Sequence, residues 1–75
     1  MKPEPTNEFS KLILHSRVQA NLTIRAASKL LNVPIGNLSD MENGLRINPT
    51  AKTLNSFRKV YMLDARDLLD SLENN

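Results

Sequence analysis

The chain has no cysteine and a single histidine. Without thiols it forms no disulfide and offers no thiolate to a metal. One imidazole, with no carboxylate cluster near it in sequence, does not build a zinc site. No metal or cofactor is expected. No apolar run approaches the roughly 18–20 residues of a membrane span. The opening Met1-Lys2-Pro3-Glu4-Pro5 lacks the apolar stretch of a signal peptide. A cytoplasmic protein without a membrane partner is the expectation. Catalytic chemistry is also missing: His15 has no Ser, Cys or Asp constellation around it and reads as an exposed helix residue, so no enzyme is expected. Seventy-five residues make one domain. A chain this short buries only about 60% of its unfolded surface. With disulfides and metals excluded, self-association is the remaining source of added stability, and a homodimer is expected.

Charge is present but unevenly spread. Residues 9–62 hold eight basic groups against Asp40 and Glu42, a net of +6. The last thirteen residues hold Asp64, Asp67, Asp70 and Glu73 against Arg66, a net of −3. A basic body with an acidic terminal segment fits a polyanionic partner, though charge asymmetry alone also describes an ordinary solvated surface.

Apolar residues recur at helical spacing throughout, and no stretch reads as a strand. The expected fold is all-α, a compact five-helix bundle. Pro3 and Pro5 keep residues 1–6 as a flexible segment ahead of a domain spanning 7–73. A first helix starts at Thr6 or Asn7 and runs to about Ala20, with Phe9, Leu12 and Ile13 inward and Leu14 and Val18 as a second, partly exposed stripe. Asn21 suits the left-handed residue that ends it. Thr23 caps a second helix through Leu31, its inner face Ala27, Leu30 and Leu31, followed by Asn32 as another left-handed residue. Pro34 fits the first turn of a third helix, which runs to Asn43, stops at Gly44 and turns Leu38 and Met41 inward. Residues 45–49 form a loop. A fourth helix runs from Pro49 or Thr50 to Met62, with Leu54, Phe57, Val60 and Tyr61 buried. Asp64, with Asp67 three residues on, opens a fifth in the manner of a capping box, its stripe being Leu68, Leu69 and Leu72.

The segment from Thr23 to Gly44 carries the functional signal. Two short helices meet through a turn at Asn32-Val33, and Ala27 supplies the small residue that lets them approach. Thr23, Ala27-Ser28, Asn32-Val33, Leu38-Ser39, Glu42-Asn43-Gly44 and Pro49 together resemble the phage-repressor/Cro-like (Xre-type) helix-turn-helix family over about residues 9–72. The resemblance implies a lambda-repressor-like DNA-binding domain whose third helix enters the major groove of double-stranded DNA. It implies an ion pair between Arg17 and Glu42, backbone contacts from Asn43 and Arg46, and dimerisation through the region of the fourth and fifth helices.

With Leu38 and Met41 facing inward, the base-reading edge is Ile35, Gly36, Asn37 and Asp40. Asn37 suits an adenine edge, Ile35 a thymine methyl and Asp40 a cytosine amino group, while Gly36 permits close approach. Thr23 and Arg25, at the start of the second helix, offer N–H groups, a helix dipole and a cation to phosphate. Lys29, Lys52, Arg58 and Lys59 read as solvated. Two features depart from the family's pattern. Ile24 stands where a phosphate-binding Gln is usual, and no cation lies between Pro34 and Leu45. Two functions follow: a small DNA-binding transcriptional regulator (a Cro-like repressor, an antitoxin or a controller of a phage or mobile element), or a helix-turn-helix protein-interaction module without base readout, acting on a protein partner as an anti-activator or antirepressor.

Overall fold

A computed structural model describes residues 7–45 and 49–73, which form five helices and no strand. In order these are α1 (Glu8–Gln19), α2 (Ile24–Leu31), α3 (Ile35–Glu42), α4 (Ala51–Val60) and α5 (Ala65–Glu73). The expected segment 1–6 and residues 46–48, Arg46 among them, lie outside the described residues. No helix among those described is long and apolar enough to cross a membrane.

Short polar side chains start most of the helices. The carbonyl oxygen of the Asn7 side chain accepts the Ser10 N–H at 2.8 Å. Thr23 and Thr50 accept the N–H groups of Ala26 and Thr53, both at 3.1 Å. Each satisfies an orphan donor that the helix cannot satisfy itself. Asp64 bonds the N–H of Arg66 at 2.8 Å. The capping-box pattern pointed one residue further, to Asp67. Pro34 stands one position outside α3, extended at ψ 140°, rather than in its first turn.

The ends follow one device four times. Asn21, Asn32, Gly44 and Met62 all take positive φ, between 54° and 78°. In each case the next residue's N–H reaches back to the last helical turn: Leu22 to Arg17, Val33 to Ser28, Leu45 to Asp40 and Leu63 to Arg58, at 2.8–3.2 Å. This is the Schellman closure, which satisfies carbonyls that would otherwise lack partners. It turns the chain sharply and permits very short connections. Asn and Gly adopt the left-handed conformation readily, whereas Met62 carries its full steric cost. It also ends α4 at Val60, before the expected Met62.

Phe9, Ile13, Ala27, Leu31, Leu38 and Phe57 form the fully buried centre, with Met41, Tyr61 and Leu68 around them. Phe9 meets Phe57 edge-on, with ring centroids 5.9 Å apart, and Phe57 stacks on Tyr61 at 5.7 Å. Through this cluster α1 packs on α3 and α5, α2 on α3 and α4, and α4 on α5. Two expected core positions differ. Leu30 is 59% exposed and Leu69 53% exposed. Ala27, Ser28 and Leu31 form the inner face of α2 instead, because small residues let α2 approach its neighbours closely. On α5 the buried positions are Leu68 and Ser71.

Candidate nucleic-acid interface

Helix α3 is held by its C-terminal end. Arg17 on α1 grips Glu42 with two parallel bonds, Nε to Oε2 at 2.8 Å and Nη2 to Oε1 at 3.1 Å. Its third nitrogen, Nη1, donates to the carbonyl oxygen of Leu22 at 2.8 Å. One guanidinium therefore joins α1, the α1–α2 turn and α3. The Glu42 side chain is 5% exposed, and it sits at the helix end where the dipole disfavours a negative charge. The planar fork of Arg17 supplies the compensating charge and geometry. Beside it the Ser10 hydroxyl donates to the Met41 carbonyl, a second tie from α1 to the same end. The Tyr61 hydroxyl is buried close to this pair and has no hydrogen-bond partner among the described residues. Burial, reinforced by the Glu42 carboxylate and opposed by Arg17, pushes its pKa up to about 12.

The other end of α3 projects. Ile35 is 44% exposed, Gly36 is exposed, and Asn37 and Asp40 are half-buried. Nothing lies within 4 Å of where a Gly36 side chain would stand, so the fold has no need of a glycine there. Half-buried Asn43 turns its side-chain amide toward the Ser39 hydroxyl at 3.5 Å. The backbone N–H of Leu45 takes up the carbonyl of Asp40 and leaves its carboxylate out of that bond.

Helix α2 brings the cations. Thr23 and Arg25 are exposed at its start. Because Thr23 caps Ala26, the N–H groups of Ile24 and Arg25 remain at the open helix end. Arg25, Lys29, Asn32, Pro34 and Ile35 border one shallow depression that runs from α2 onto the tip of α3. The structure thus brings Arg25 and Ile35 together, and it adds Lys29, which sequence alone does not distinguish from a solvated residue. Lys29 stands one turn after Arg25 on the same side of α2, so the i,i+4 spacing was the available signal. Asn37 and Asp40 lie further along α3, outside that depression. Ser28 turns its hydroxyl back to the Arg25 carbonyl at 2.8 Å, leaving the two cations as the charged groups of this wall.

A cationic wall beside a projecting, weakly polar helix tip can grip a phosphate backbone while the tip meets groove edges. Residues 13–66 match the family model described as Helix-turn-helix. A comparison with curated proteins gives no match.

Proposed function

Because the chain belongs to the Xre-type, phage-repressor/Cro-like helix-turn-helix family of DNA-binding regulators, we propose that it is a small Cro-like repressor or mobile-element controller that binds operator DNA as a homodimer. Helix α3 enters the major groove, with Ile35 against a thymine methyl, Asn37 on an adenine edge and Asp40 on a cytosine amino group. Gly36 allows the backbone to come close. Thr23, Arg25 and Lys29 hold phosphate, joined by Asn43 and Arg46 beyond the other end of α3. The observation that carries this reading is the shared depression of Arg25, Lys29 and Ile35, which sets two cations beside the exposed helix tip.

The dimer forms across α4 and α5. An apolar depression between them is lined by Leu54, Leu68 and Leu69, with Arg58 on the α4 side. The exposed Glu73 stands one turn after Leu69 on α5. A two-fold axis over this face would let Arg58 of one copy approach Glu73 of the other.

Fluorescence anisotropy on random duplex, and on the DNA upstream of the protein's own gene, tests the reading across a salt series. Six cations per dimer, from Arg25, Lys29 and Arg46, give a log–log salt slope of about −5. Arg25→Ala lowers the slope by about 1 per protomer and weakens all sequences alike. Asn37→Ala leaves the slope unchanged and lowers discrimination by about 1–3 kcal/mol. Equal, weak and salt-insensitive binding to both duplexes would sink the reading. It would favour the protein-interaction module instead, a role to which the cation-free α3 and the exposed Leu30 and Ile35 are suited.

A further inference from the structure

A second concave face lies between α1 and α5. It is a groove of about 680 Å³, and it shares no residue with the depression on α2 and α3. Its floor is apolar, formed by Leu12, Leu14 and Val18 of α1, with Val18 61% exposed. On α5 the small Ser71 makes room for it. The Ser71 hydroxyl donates back to the Leu68 carbonyl at 2.6 Å, so it offers the groove no free donor.

The rim is acidic in a chain that is basic overall. Glu8 and Lys11 offset one another at 4.0 Å. Asp67 and Asp70, three residues apart on α5, stand exposed along the opposite wall. Among the described residues, neither belongs to an ion pair. An apolar floor alone would take any apolar segment. Two unpaired carboxylates on one wall select a segment with a cationic flank and repel nucleic acid and anionic surfaces.

We propose that this groove docks an amphipathic helix of a second protein, one whose apolar stripe is flanked by lysine or arginine. The apolar stripe seats on Leu12, Leu14 and Val18, and the cations meet Asp67 and Asp70. None of these residues belongs to α2 or α3, so the docked helix leaves the DNA-facing edge uncovered. Binding here stands apart from the DNA reading and is measured without DNA.

The test is a titration of the isotope-labelled full chain, followed by amide NMR shifts. The probes are an amphipathic helical peptide of leucine and lysine and its leucine–glutamate counterpart. The lysine peptide should bind at least about fivefold tighter, as expected for two exposed ion pairs. Its shifts should centre on residues 12–18 and 67–71, and its affinity should fall with added salt. Asp67→Asn combined with Asp70→Asn should remove the preference, and Val18→Ser should weaken the lysine peptide. All three positions are exposed in the free chain, so circular-dichroism melting should stay near that of the parent. The proposal is overturned by equal affinity for both peptides, by shifts centred on α2 and α3, or by variants that bind as the parent does. Movement of the same resonances with protein concentration alone would also overturn it, because the occupant would then be a second copy of this chain.

Discussion

Removing one end of the Arg17–Glu42 pair tests how the projecting helix is held. Glu42→Ala leaves the guanidinium with one bond, to the Leu22 carbonyl, in a site where the Arg17 side chain is only 17% exposed. Stranding a buried charge costs about 3–5 kcal/mol. The residual exposure of Arg17 lets it recover some hydration, so a loss of about 2–4 kcal/mol is expected. At roughly 0.05–0.15 kcal/mol per residue, a domain of this length has about 4–11 kcal/mol to lose. The variant should therefore fold, with a clearly earlier urea midpoint by circular dichroism. Arg17→Met should cost a similar amount by stranding the carboxylate. The double variant Arg17→Met with Glu42→Leu should return close to the parent, because two apolar groups carry no desolvation penalty. The cycle should then show a coupling of about 2 kcal/mol or more. Single losses below about 1 kcal/mol that simply add would refute the reasoning, since that is how a solvent-screened pair behaves.

Three further outcomes are expected. Tyr61 titrates near 10.0 when unfolded and near 12 when folded, so above about pH 10 the unfolded chain releases its proton first. Stability falls from there until about pH 12, by up to about 2–3 kcal/mol. Tyr61→Phe should remove that part of the alkaline loss, with identical parent and variant curves as the contrary result. Tyr61 is the only tyrosine, so tyrosinate absorbance reports it without ambiguity. Met62→Gly should raise stability by about 0.5–1 kcal/mol in thermal or urea unfolding, because it relieves a left-handed residue that is 89% exposed. Gly36→Ala should stabilise α3 by up to about 1 kcal/mol, since the added methyl meets open space. The same change should weaken DNA binding if the backbone approaches the groove there. Unchanged affinity would remove Gly36 from the proposed interface.

Local chemistry was legible where one residue type has one cheap conformation. Thr23 as a cap, and Asn21, Asn32 and Gly44 as left-handed closures, follow from their side chains alone. Met62 performs the same closure with no such signal in its side chain. The core of α2 was misread at Leu30 because counting apolar residues overlooks what serine can do. Ser10, Ser28 and Ser71 are buried, and each returns its hydroxyl to a backbone carbonyl, so it packs as a small residue without leaving a polar group unsatisfied. The pairing of Arg17 with Glu42 spans 25 residues. Periodicity carries no information over that distance, and only the family resemblance suggested the pair. The nearness of Lys29 to the α3 tip is likewise a product of how α2 and α3 pack, though its spacing from Arg25 was visible.

On the proposed reading, affinity and discrimination reside on different helices. Between Pro34 and Leu45 there is no cation, so α3 contributes shape, methyl contact and one amide rather than charge. Arg25 and Lys29 on α2 supply the charge, and they contact phosphates that every sequence presents alike. A single bidentate amide is worth about 1–3 kcal/mol against a wrong base. One half-site read by Asn37 and a thymine methyl therefore separates operator from random DNA by no more than about two orders of magnitude. Pairing two half-sites doubles that free energy, which makes dimerisation across α4 and α5 a condition of specificity as well as of stability. It follows that a charge placed in the α4–α5 face, Leu69→Glu for example, should erode discrimination more than it erodes binding to random duplex, although the residue is remote from the α2–α3 depression. Equal losses on both duplexes would instead mean that α5 has no part in pairing half-sites.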